Sequence, residues 1–163
     1  VDADEAVAKI RAAVEARRDP DTVIIARTDA IGLLGFEEAL RRGLRFKDAG
    51  ADVVFVDAPS SEEQLAEIGR TIPGSLMVNM SEGGLTPVTP AARLRELGFG
   101  IVLYPTTTLR IASRTIGDAL ADLRRDGEST AWLDRMHVLD QLNELVGIDE
   151  YLTVGDRATS VPV

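Results

Sequence analysis

Four short, unbroken apolar runs constrain this chain more than anything else in it: Thr22–Ala26, Val53–Val56, Leu76–Val78 and Ile101–Leu103. They are rich in β-branched residues and continuous rather than alternating, the pattern of strands buried on both faces of a parallel sheet. Helix-period stretches separate them. Phe36, Leu40 and Leu44 belong to one that ends at Gly50. Ser60-Ser61-Glu62-Glu63 offers a cap before Leu65 and Ile68, Thr89-Pro90 opens a third, and Leu109, Ala112, Ile116, Leu120 and Leu123 share a face of a fourth. The middle of the chain therefore reads as βαβαβαβα, an α/β arrangement of parallel strands joined by right-handed crossovers.

The ends read as helical. Residues 1–18 form a helix before the first strand, residues 22–125 hold the four βα units, residues 128–150 form a helical extension, and 151–163 form a loosely held tail. Within the extension, one helix is predicted from Thr130 to Val146, with Leu133, Met136, Leu139, Leu142 and Val146 in register.

Composition removes several classes of function. Lys and Arg total 18 against 27 Asp and Glu, a formal net charge of -9, which opposes both a phosphate backbone and an anionic membrane surface. Trp 1, Tyr 2 and Phe 4 leave few rings for stacking bases, so no nucleic-acid partner is expected. No apolar run approaches the ~20 residues of a membrane helix, and the acidic opening Val1–Glu5 does not suit a leader peptide. Cysteine is absent, which excludes disulfides, thiolate metal sites and a Cys nucleophile within these residues and is compatible with a reducing cytoplasm. There is no G-x-G-x-x-G, Walker loop or H-E-x-x-H.

Each strand hands over to polar residues at its carboxyl end: Arg27-Thr28-Asp29, then Asp57, then Asn79-Met80-Ser81-Glu82, then Tyr104, Thr106, Thr107 and, one helical turn on, Arg110. Ligands of parallel α/β folds bind beyond those ends. Two arginines, carboxylates and a side-chain amide suit a small carboxylate-bearing substrate, because a guanidinium grips a carboxylate bidentately. Plainer readings stand beside this one. Arg27-Thr28-Asp29 also reads as a self-satisfied turn, Asp57 as a cap, Asn79–Gly84 as a glycine-containing loop and Arg110 as a solvated helix charge. His137 reads as structural or exposed.

At these residues the sequence resembles the isocitrate lyase / phosphoenolpyruvate mutase superfamily. Ile24-Ile25-Ala26-Arg27-Thr28-Asp29-Ala30 looks like its fifth barrel strand, and Ala49-Gly50-Ala51-Asp52 through Asp57-Ala58-Pro59 like its sixth. Val78-Asn79-Met80-Ser81-Glu82-Gly83-Gly84 with Thr86-Pro87 is similar to the seventh, and Leu97-Gly98-Phe99 through Leu103-Tyr104-Pro105 to the eighth. The resemblance implies a partial (β/α)8 TIM barrel, strands five to eight, plus C-terminal helices often exchanged between subunits of a homo-oligomer. It further implies Mg²⁺-dependent making or breaking of C–C or P–C bonds in 2-oxo- or 2-hydroxy-carboxylates through an enolpyruvate-like species. By motif position, Arg27 would grip the substrate carboxylate, while Asn79, Met80, Ser81 and Arg110 would hold a second anionic group. Asp57 stands where many relatives carry Glu and is the second catalytic candidate.

Two departures narrow the branch. Methylcitrate-cycle lyases carry an Arg where this chain reads Met136-His137-Val138-Leu139, and the oxaloacetate decarboxylases a His near Leu103-Tyr104-Pro105, so both activities are disfavoured. The carboxyphosphonoenolpyruvate mutase and dimethylmalate lyase-like branch remains. The family's Mg²⁺ ligands and its Cys-bearing loop belong to earlier strands, so no metal ligand is expected among these residues. The chain is then expected to be the substrate-binding half of a barrel that typically needs ~250 residues. The alternative is a non-catalytic half-barrel that binds a carboxylate weakly or only self-associates.

Overall fold

The computed structural model describes residues 1–159, with side chains through residue 154. It divides into two compact units, Val1–Arg110 and a helical one from Ile111 onward.

The first unit is α/β. Helix α1 (Ala3–Ala16) begins where the Asp2 carboxylate accepts from the Asp4 amide at 2.7 Å. Strand β1 (Ile25–Thr28) is followed by a single turn α2 (Ile31–Leu34) and by α3 (Phe36–Asp48). Strand β2 (Val53–Val56), helix α4 (Glu62–Thr71), strand β3 (Ser75–Asn79), helix α5 (Ala91–Glu96) and strand β4 (Phe99–Leu103) complete the sheet, and α6 (Thr107–Asp126) follows. The four strands lie in the order β1-β2-β3-β4, all parallel, as the repeated runs required.

Alternation along each strand sorts residues between two faces. Ala26, Val54, Val56, Leu76 and Val78 meet Val7, Ala39, Leu40, Phe46, Leu65, Ile68 and Leu94 from the helices in the main core. Helix α3 supplies Ala39, Leu40 and Phe46 to it, and its ends are charge-matched: Glu37 and Glu38 in the first turn, Arg45 and Lys47 in the last. Val53, Phe55 and Met77 point the other way and form a separate cluster with Ile101. Between β3 and β4 the register skips: Leu76 pairs with Phe99 and Met77 with Ile101, leaving Gly100 opposite nothing. The extra residue bends β4 and increases local twist.

Strand β1 starts later than its apolar run predicts. Thr22–Ile24 are held outside the strand: the Ile24 amide donates to the Asp52 carboxylate at 2.8 Å, which also takes Arg17 at 2.8 Å. Arg27 and Thr28 therefore lie within the strand rather than after it.

The second unit departs more from expectation. The single helix predicted over 130–146 is a 3₁₀ turn (Thr130–Arg135), an extended break through Met136–Val138, and α7 (Leu139–Leu145). A final helix α8 (Ile148–Thr159) replaces most of the predicted tail, and residues 160–163 lie outside the described part. Trp132 anchors the 3₁₀ turn: its indole N–H donates to Asp122 at 3.1 Å, and Arg135 lies 5.0 Å over its ring. His137 is exposed in the break. No described helix is long and apolar enough to cross a membrane.

Candidate active site

The carboxyl end of the sheet is built from the register upward. Arg27 pairs with Phe55 across β1 and β2, and Phe55 with Met77 across β2 and β3, so all three face the side away from the helices. Adjacency in the ladder places the Arg27 guanidinium 4.9 Å over the Phe55 ring, a cation–π contact on a buried aromatic face. From there Arg27 reaches past the strand ends. Its Nε and Nη2 donate to the Asp29 carboxylate at 3.1 and 2.6 Å, and Nη2 also donates to Asp57 Oδ2 at 2.9 Å. The guanidinium is thus held by a ring against its face and two carboxylates along its edge.

The electrostatics follow from that arrangement. Hydrogen bonding to Asp29 raises the Arg27 pKa above its ordinary value, and the same bond holds Asp29 below the usual aspartate value. Asp29 is 64% exposed as a side chain and Asp57 20%, so Asp57 is the more enclosed partner. Ala58, the residue after Asp57, has φ 63°. An L-residue with a Cβ is strained in that left-handed region, and here the strain falls beside the candidate carboxylate and before Pro59.

Beyond Asp57 lies a pocket of about 210 Å³ lined by Asp57, Ala58, Asn79, Ser81, Leu85 and Thr86, with Gly84 completing the wall. The structure therefore brings Asp57, Asn79 and Ser81 around one cavity, with Arg27 bonded to its Asp57 rim. Asn79 Oδ1 is buried and has no hydrogen-bond partner, so the pocket floor offers an unmet polar atom to a ligand or water.

Met80 is placed differently from its expected ligand-binding role. Next after Asn79, it turns to the helix side, where it is 1% exposed within the main core. Its amide donates to Leu103 O at 2.8 Å and its sulfur accepts from the Thr89 amide at 3.4 Å. Only its carbonyl is left for a ligand. Arg110 lies in the first turn of α6, where its guanidinium donates to the Glu82 carbonyl. Sequence reasoning passed over Phe55, Ala58 and Thr86; the pleat of a four-residue strand would have put Phe55 on the face of Arg27, but no sequence signal gave the register between them.

No group of three or more His, Asp or Glu side chains able to hold a metal ion converges among the described residues. The Asp57 carboxylate that lines the pocket is engaged by Arg27, as is Asp29. A divalent cation does not fit these residues by themselves.

A family model described as phosphoenolpyruvate phosphomutase matches residues 1–124. Among curated relatives, the chain is 41% identical over 150 residues to 2,3-dimethylmalate lyase of Eubacterium barkeri, covering 92% of this chain and 52% of that protein. It is 44% identical over 149 residues to a probable 2-methylisocitrate lyase of Corynebacterium glutamicum, covering 91% and 49%. The chain thus spans about half the length of the curated relatives it matches. Among solved structures, oxaloacetate acetylhydrolase in complex with oxalate superposes with a TM-score of 0.88 at 33% identity, over 98% of this chain and 56% of that one. Phosphonopyruvate hydrolase in complex with oxalate and Mg²⁺ gives 0.80 at 30% identity, over 96% and 56%.

Proposed function

The chain belongs to the phosphoenolpyruvate phosphomutase family, and from that premise we propose that it is the substrate-binding half of a lyase that cleaves a C–C bond in a small 2-hydroxy-carboxylate. The carrying observation is the Arg27 guanidinium, stacked on Phe55 and bonded to Asp57 at the rim of the Asp57–Asn79–Ser81 pocket. A stacked, pre-oriented guanidinium loses little freedom on binding and presents a planar donor edge to a carboxylate.

In this reading Arg27 takes the substrate's C1 carboxylate, displacing the exposed Asp29. Asp57 accepts the hydrogen bond of the 2-hydroxyl, and Asn79 and Ser81 face the second anionic group together with Arg110. Cleavage converts the hydroxyl to a carbonyl. The hydroxyl proton passes to a base, the C2–C3 bond breaks, and its electron pair stays on the departing carbon until a proton quenches it. Mg²⁺ is the proposed cofactor, with ligands outside these residues; when bound, it would stabilise negative charge on the substrate oxygens. The barrel half is completed by chain beyond these residues, and a cytoplasmic homo-oligomer with exchanged C-terminal helices is part of the same proposal.

A second reading, a lyase for a tricarboxylate, is favoured by the 44% identity to the C. glutamicum protein. Assay of the complete gene product with 2,3-dimethylmalate, 2-methylisocitrate, oxaloacetate and phosphonopyruvate, each with Mg²⁺, separates the two. Turnover of dimethylmalate supports the first reading, turnover of methylisocitrate the second, and turnover of phosphonopyruvate alone overturns both. In the active protein Arg27→Lys loses the planar fork, and kcat/KM is expected to fall by about 10- to 100-fold. Kinetics within a factor of about two of wild type would remove Arg27 as the carboxylate clamp.

A further inference from the structure

The loop after β3 carries a carboxylate that the proposed reaction does not use. Glu82 lies between Ser81 and Gly84, both of which line the pocket, yet its side chain turns away from the cavity. Thr107 Oγ1, at the start of α6 and 25 positions along the chain, donates to Glu82 Oε1 at 2.5 Å. The Glu82 main-chain carbonyl accepts from Arg110 Nη1. The second carboxylate oxygen, Oε2, is buried without a hydrogen-bond partner and lies 4.0 Å from the same Nη1. One residue therefore fastens the pocket loop to the first turn of α6 at two points and sets a negative charge beside the guanidinium.

The Glu82 side chain is 39% exposed as a whole, yet Oε2 itself is closed off from solvent. A buried carboxylate oxygen without a donor is unfavourable unless nearby positive charge offsets it. Here two sources do: the Arg110 guanidinium and the amino end of a 20-residue helix. The Thr107 bond also keeps the Glu82 carboxyl below its ordinary pKa, so it stays charged.

We propose that Glu82 is a positioning residue for Arg110: clasped by Thr107, it fixes the direction of the Arg110 guanidinium and ties that direction to the Ser81–Thr86 wall of the pocket. The inference rests on the reading that Arg110 meets the second anionic group of the substrate. It adds that the two-carboxylate specificity of the site is set by a residue that touches no substrate.

The test compares malate with lactate, which share the 2-hydroxy-carboxylate and differ in the second carboxylate. Binding of each to the complete gene product is measured calorimetrically with Mg²⁺ present. Glu82→Ala should weaken malate by about tenfold, the loss of one well-oriented charged hydrogen bond, and leave lactate within about twofold. Thr107→Val removes only the clasp and should act in the same direction, which covers the case in which Glu82→Ala does not fold. Equal losses for both acids, or no loss for malate, overturn the proposal. If the wild-type protein binds neither acid, the carboxylate reading falls, and the Arg110 Nε–H resonance in NMR spectra decides the positioning role alone. A shift toward that of free arginine in Glu82→Ala upholds it; an unchanged resonance overturns it.

Discussion

Arg27 is satisfied before any ligand arrives. Asp29 and Asp57 share one edge of its guanidinium, and Phe55 supports the plane. The Arg27 guanidinium holds the Asp29 carboxyl below its ordinary value of 3.8 by favouring the ionised form. A group whose folded pKa is depressed contributes stability above its unfolded pKa and loses it as pH falls through the folded value. The Asp29–Arg27 pair should therefore persist at neutral pH and open only below the ordinary aspartate range. Carbon-detected NMR of the Asp29 carboxylate checks this, and a midpoint at or above 3.8 would contradict the bonded geometry. Sequence reading brought Arg27 and Asp57 to one place because both sit at strand ends. It could not choose between a turn and a clamp for Arg27-Thr28-Asp29, because both use the same residues; the structure contains the internal pair and the proximity to Asp57 together. Met80, read from the sequence as a binding residue, lies in the core because period-2 alternation sends the neighbour of Asn79 to the opposite face.

Helices and strands differ in how much of them the sequence carries. The runs Val53–Val56 and Ile101–Leu103 fall inside β2 and β4 because continuous apolarity leaves few other ways to bury them. Helix α2 was missed because Ile31-Gly32-Leu33-Leu34 is too short to show a period. Over 130–146 the apolar spacing is three steps of three and one of four, which suits a 3₁₀ turn as well as an α-helix, and the Trp132–Asp122 bond favours the former locally. Contacts between elements leave still less trace. Gly69 in α4 sits so close to the end of α5 that a Cβ there would lie 1.7 Å from Leu97 O. That obstacle is backbone and cannot rotate away, so Gly69→Ala should push α4 off its neighbours. An expected loss of about 2 kcal/mol or more in urea unfolding checks it, and an unchanged midpoint would mean the helix can shift freely.

At the scale of the molecule, the two units differ in how their apolar residues are housed. The first buries an extensive core against its sheet, whereas from Ile111 onward Trp132 stands alone among large buried side chains of the described residues. Leu139 and Leu145 on α7 are 71% and 70% exposed, with Met136 and Leu142 also open to solvent. Exposed apolar side chains of this kind are what a subunit contact would cover. With the proposed oligomer, Leu139→Glu together with Leu145→Glu should lower the mass measured by light scattering, while an unchanged mass would place the subunit contact elsewhere. The skipped residue in β4 has a consequence of its own. With Gly100 counted in β4 and no residue of β3 counted against it, β4 must bend there for its later pairs to stay in step. The bend falls in the amino half of the β3–β4 pair, away from the carboxyl ends where Asp57, Asn79 and Ser81 line the cavity. A change at Gly100 should thus be felt in how the sheet is held, and a change at Asp57, Asn79 or Ser81 in what the cavity accepts.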